Sequence, residues 1–236
     1  MDAASYTTLT RQSGLMREMQ VVANNIANIS TTGFRREGVI FEEYITGGQD
    51  GPSLSMATGD ARVIDLTQAG LNMTGGAFDF AIQGEGFFQI ETPDGPRLTR
   101  AGSFTPSAAG ELVTNDGYRL LDGGGGPIFI PPDANNLAVA QDGTVSANGA
   151  PLAKIGLWRP ADPLSLQHQA GTMFSADSLT PADGGKILQG YLEESNVNPV
   201  QEIARMIEVQ RSYELGQSFM DQEDKRMRSV VDTLGR

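Results

Sequence analysis

The chain has no cysteine and a single histidine among its 236 residues. The missing cysteines exclude disulfides, thiolate metal sites and cysteine nucleophiles together. One histidine cannot build a metal constellation, and any Ser-His-Asp arrangement would have to use it. Flanked by Gln167 and Gln169, His168 reads as an ordinary surface residue. Long apolar runs are lacking as well: no stretch approaches the roughly 20 residues of a membrane span. The N-terminus, MDAASYTTLTRQSGLMREMQ, carries Asp2 and no apolar run of about 7–15 residues, so it does not read as a secretory signal peptide. Basic charge is also scarce, with 17 Lys and Arg against 29 Asp and Glu for a net charge of −12. That balance opposes a phosphate backbone, whose binding requires a basic face. Neither nucleic acid nor membrane insertion is expected.

Glycine is abundant, with 29 residues against an average of roughly 7%. Much of it stands in Asp-Gly and Asn-Gly pairs at 94–95, 116–117, 122–123, 142–143 and 148–149. These pairs suit the positive-φ positions of type I′ hairpin turns. Short β-prone runs separate them: Phe78–Ile82, Gly86–Ile90, Arg97–Thr99, Leu152–Trp158 and Ile187–Leu192. Residues 123–127, four glycines and a proline, read as a flexible loop. The middle is therefore β-rich, and it is also the acidic part, with 7 basic and 15 acidic residues over 47–192.

The two ends differ from the middle. Over roughly 2–29, Leu15, Met19, Val22, Ile26 and Ile29 step by four, three, four and three residues, a coiled-coil seam. Asn24, Asn25 and Asn28 stand beside that seam, where asparagine can set register at some cost in stability or simply form a polar face. Gly33 suits the left-handed turn that closes a helix end, and Val39–Ile45 reads as extended. The Gly/Ser/Pro-rich stretch 46–59 reads as an exposed linker. At the other end, Asn198 and Pro199 are a cap and a first helical residue. Met206, Tyr213, Met220, Met227 and Leu234 then fall on one seven-residue lattice joined by Val209 and Val230, with Ile207, Gln210 and Arg211 beside it. Neither seam can be completed within its own segment, so each must meet the other terminus or a neighbouring molecule.

The expected fold is α+β. Long N- and C-terminal helices pack as a coiled-coil layer, and a β-rich central domain is inserted between them. The divisions are 1–35 for the first helix and its motif, 36–75 for an extended segment and linker, 76–192 for the central domain and 193–236 for the second helix. No catalytic, cofactor-binding or metal residues can be named. Gly84-Glu85-Gly86-Phe87-Phe88-Gln89 lacks the third glycine of a dinucleotide loop, and Gly184-Gly185-Lys186-Ile187 lacks the spacing and hydroxyl of a phosphate loop. No Asp-Gly site completes a calcium loop.

Three motifs carry a family resemblance. Ala23-Asn24-Asn25-Ile26-Ala27-Asn28-Ile29-Ser30-Thr31-Thr32-Gly33-Phe34-Arg35-Arg36 resembles the N-terminal motif of the bacterial flagellar rod and hook family of axial proteins. Ser195-Asn196-Val197-Asn198-Pro199-Val200, with Glu202, Met206-Ile207-Glu208 and Gln210 to Glu214, resembles that family's C-terminal motif. Gly75 to Phe88 is similar to the strand motif that opens the central domain of its rod members. The length and single central domain are most like the proximal-rod type, with the distal-rod type as the rival.

The resemblance implies a non-enzymatic structural subunit of the basal-body rod. It would assemble helically with itself and other rod proteins, transmit torque and enclose the export channel. It further implies passage through the flagellar type III export apparatus and residence in the periplasmic space, with subunit packing through the seam and motif residues, Asn196 among them. A reading of another class stays open, a secreted glycan-binding or glycan-cleaving β domain with dimerising helices, using acids such as Asp79, Glu85 or Asp94.

Overall fold

Two helices bracket the chain in the computed structural model, which describes residues 3–46, 54–134 and 136–234. Helix α1 spans Ala3–Ala27 and helix α2 spans Pro199–Leu234. At 36 residues and about 1.5 Å per residue, α2 is about 54 Å long. Its start follows the sequence: the Asn198 side-chain oxygen accepts from the backbone N–H groups of Val200 and Gln201, and Pro199 occupies the first helical position. Among the described residues, no helix is long and apolar enough to cross a membrane. The chain divides into two units, residues 1–27, 37–63 and 198–236, and residues 28–36 and 64–197.

The first unit holds α1, α2 and a two-stranded ribbon of Glu37–Thr46 with Leu54–Ile64. The ribbon corrects the reading of 46–59 as linker over its second half. Leu54, Met56 and Thr58 alternate with the small residues Ser55, Ala57 and Gly59, a period-2 pattern hidden in a Gly/Ser-rich composition. Residues 47–53 lie outside the described ones. Helix α1 ends two residues earlier than expected, leaving Ile29 beyond it.

The second unit is β-rich. Its largest sheet runs in the order Gln167–His168, Met173–Ser175, Gly95–Thr99, Phe87–Thr92, Arg119–Leu120, Leu112–Thr114 and Phe104–Pro106, and Leu157–Pro160 joins Phe87–Thr92 at its start. Among the described residues, the strand pairings of this unit are antiparallel. Alternation along Phe87–Thr92 explains why the sheet is covered on both sides: Phe88 and Ile90 join one core with Phe80, Phe104 and Leu112, while Phe87 joins a second with Ile64, Leu98, Leu166 and Phe174. The Asn148-Gly149 hairpin is the type I′ turn its sequence predicts, with φ of 52° and 82° between the paired residues Ala147 and Ala150. The glycine run at 123–127 is more ordered than its composition predicts. Asp122 Oδ1 accepts from the N–H groups of both Gly124 and Gly126, and Leu121 bridges Pro127.

Candidate functional site: two polar clusters at the terminal motifs

In the first unit, α1 and α2 pack antiparallel, because rising numbers along α1 meet falling numbers along α2. Gln12 Nε2 donates to the Tyr213 carbonyl at 3.1 Å, Glu18 meets Arg205 at 2.5–2.6 Å, and Asn25 reaches Glu202 at 3.1 Å. On α2 the inward face is Glu202, Met206, Val209, Tyr213, Gly216, Met220 and Glu223, all buried or half-buried. Its steps of four and three are a continuous heptad lattice. Among the described side chains of α1 the buried residues are Gln12, Leu15, Glu18, Val22 and Asn25, together with Gly14 and Val21. Met19 and Ile26 are only half-buried, so the inward stripe is rotated toward polar side chains relative to the apolar seam. Gly216 permits the close approach: a Cβ there would lie 2.7 Å from Gln12 Nε2.

Asn25 is the centre of this unit's polar contacts and is fully buried. Its Nδ2 donates to the Glu37 carbonyl at 2.8 Å and to Glu202 Oε2, and its Oδ1 accepts from Glu37 N at 3.0 Å. It therefore sits within the interface, not beside it. One side chain mimics a strand partner for the start of the ribbon while holding the first turn of α2. At Arg205, burial pulls the guanidinium pKa down, and the hydrogen bonds to Glu18 and Glu208 outweigh it, so the net direction is up.

In the second unit, the rest of the N-terminal motif meets the residues that precede α2. Gly33 N–H donates to the Glu193 carbonyl at 2.8 Å, Asn196 N–H to the Phe34 carbonyl, and Arg36 N–H to Asn196 Oδ1 at 2.6 Å. Asn196 Nδ2 donates onward to the carbonyls of Asp65 and Thr67. Gly33 has φ +71°, and a Cβ there would lie 2.3 Å from Ala101 N, so the motif requires glycine for both conformation and space. Asn28 closes the turn by accepting from Thr31 Oγ1 at 3.0 Å.

Beneath this loop lies a buried ion cluster. Glu193, fully buried, pairs with Arg35 at 2.9 Å and Arg100 at 3.0 Å, and Arg35 also donates to the Thr67 carbonyl. Burial lowers the Arg35 pKa, opposed by Glu193 and then Asp65. Arg100 is lowered to about 10, chiefly by burial, with Glu193 again opposing. His168 departs from its surface reading. It is half-buried, with its ring edge-on to Phe34 at 5.6 Å and Phe174 at 5.3 Å.

Among the residues singled out by sequence, Leu15, Val22 and Asn25 are buried. Met19, Asn24, Ile26, Asn28, Asn196, Met206, Tyr213 and Met220 are half-buried. Asn198, Ile207, Gln210, Arg211 and Met227 are exposed. Sequence reasoning missed Glu193 and Arg100, Gln12 and Glu18, and the seam position Gly216. The signal available for Gly216 was the lattice itself, since it stands seven residues after Val209 and three after Tyr213.

A helical pair built from both chain ends, with motif residues serving as structural ties, defines a class of scaffold protein whose termini are its architecture. Three family models match in chain order: a flagella basal body rod protein model over residues 6–35, a flagellar hook protein FlgE/F/G D1 domain over 81–147, and a flagellar basal body rod FlgEFG C-terminal model over 188–233. The chain belongs to the flagellar basal-body rod protein family and is a structural rod subunit. The flagellar basal-body rod protein FlgF of Caulobacter vibrioides is 40% identical over all of this chain and 99% of its own length. That of Rhizobium meliloti is 35% identical with the same coverage. The rod protein FlgG of Bacillus subtilis is 31% identical over 96% of this chain and 97% of its own.

Proposed function

We propose that the chain is a proximal-rod subunit that assembles helically with itself and other rod proteins, transmitting torque and enclosing the export channel. The observation that carries this reading is the outer face of α2. Val200, Ile203, Ile207 and Leu215 are 77%, 51%, 47% and 73% exposed, and the seam continues into exposed Met227 and Val230. A helix with one apolar stripe packed and further apolar positions open is a surface for more helices. The proximal assignment follows the greater identity to the FlgF relatives quoted than to the FlgG relative. Delivery through the flagellar export apparatus and assembly in the periplasm complete the proposal. The terminal helices form the inner coiled-coil layer, and Leu15, Met19, Val22, Met206, Tyr213 and Met220 set its register.

Exchanging both Ile203 and Ile207 for Asp tests it. Both side chains are about half exposed, so the purified variant should melt within a few degrees of the parent, while motility in soft agar should be lost and the protein absent from isolated basal bodies. A variant that melts normally and supports full motility would remove this face from the assembly.

A further inference from the structure

The Asp116-Gly117 pair that turns one of the central hairpins carries a carboxylate the fold leaves unused. Gly117 supplies the positive φ of 85°, and its N–H donates to the Thr114 carbonyl at 2.9 Å. Among the described residues, the Asp116 side chain itself makes no hydrogen bond or ion pair. Arg119, further along the same hairpin, is already held by Glu91 at 3.3 Å and Glu111 at 2.9 Å. Asp116 instead lines a cavity of about 330 Å³ in the β-rich unit, shared with Thr31 and Thr32 of the N-terminal motif. That volume is within the roughly 300–1,000 Å³ usual for ligand pockets.

The polar lining is biased toward acceptors. The Thr31 hydroxyl donates to Asn28 Oδ1 at 3.0 Å, and the Thr99 hydroxyl to the Thr172 carbonyl at 3.0 Å. With its proton committed, each can still offer only an oxygen lone pair. The Ala101 N–H, a donor in the same wall, is taken by Thr99 Oγ1 at 3.1 Å. Asn115 can serve either way, and Asp116 adds the one charge, which is negative. Half-buried Met173 and Leu192 supply an apolar wall, and half-buried Tyr118 a ring suited to a cation.

We propose that this cavity docks a lysine side chain from a basic segment of a protein partner. The four-carbon stem lies against Met173 and Leu192, and the ammonium, three donors and no acceptor, meets Asp116 and the threonine oxygens. The surrounding field favours such an occupant, since residues 47–192 carry 7 basic and 15 acidic groups. The site lies wholly in the β-rich unit and draws on none of the helix faces invoked for assembly.

The test is titration of the isotopically labelled full chain with acetyl-Lys-N-methylamide, followed by NMR, beside the uncharged acetyl-norleucine-N-methylamide and methyl glucoside. Saturable shifts at Thr32, Tyr118 and Met173 are expected with the lysine compound. Asp116→Asn keeps an Asn-Gly turn and should weaken binding on the order of tenfold, as for loss of a charge-assisted hydrogen bond. Asp94→Asn, an exposed acid in another hairpin turn outside the cavity, should leave it unchanged. Absence of saturable shifts, equal binding of the norleucine compound or the glucoside, indifference to Asp116→Asn, or an equal loss in Asp94→Asn would each overturn the proposal.

Discussion

In the β-rich unit, Phe80, Phe88, Phe104 and Phe174 are all 2% exposed or less, whereas in the helical unit Val200, Leu215 and Val231 stand 77%, 73% and 66% exposed. The β-rich unit encloses its apolar surface on its own. The helical unit pairs its helices through Gln12, Glu18, Asn25 and Arg205 and leaves much of its apolar surface outside. Polar ties of this sort contribute about 0.5–1.5 kcal/mol each, more when charged, but they demand a specific geometry. The β unit is thus built for self-sufficiency and the helical unit for a fixed register that neighbours can complete.

The comparison can be broken most forcefully at Glu193. Glu193→Ala leaves Arg35 and Arg100 buried without their shared carboxylate and should cost about 3–5 kcal/mol, read as a large fall in the melting temperature of the purified chain. A small change would mean that the buried cluster is not what ties the motif loop to the sheet. Next is Asn25→Ala, which strands the Glu37 backbone groups and should cost about 1–3 kcal/mol by chemical denaturation. An unaltered midpoint would show that water replaces the side chain.

The smallest expected effect sharpens the contrast. Gly216→Ala gains about 1 kcal/mol of helix propensity and pushes on Gln12 Nε2, the movable end of a side chain, so thermal stability should stay within about 1 kcal/mol of the parent. A severe loss would show that the helices are locked as tightly as a β core.

Much of this was legible. Asp-Gly and Asn-Gly pairs located hairpins because type I′ turns demand positive φ, and the heptad lattice located the inward face of α2 because spacing alone fixes which side chains share a stripe. What stayed hidden depends on contacts between distant positions. Arg100 meets Glu193 across 93 residues and Gln12 meets Tyr213 across 201, and no local pattern encodes such pairings. The ribbon strand Leu54–Ile64 was obscured because glycine and serine signal loops even where the alternation beneath them is that of a strand. His168 was misjudged since its polar neighbours in sequence are not its neighbours in space, which are Phe34 and Phe174.

Amide hydrogen exchange, measured on the dilute purified chain and again on the same protein in isolated basal bodies, tests the central claim most directly. The β strands around Phe88 and Ile90 should be equally protected in both, while the amides of α2 should exchange orders of magnitude faster in the free chain and become protected in the rod. If the α2 amides of the free chain are already as protected as those strands, and do not change on assembly, the helical unit is complete by itself and the account is contradicted.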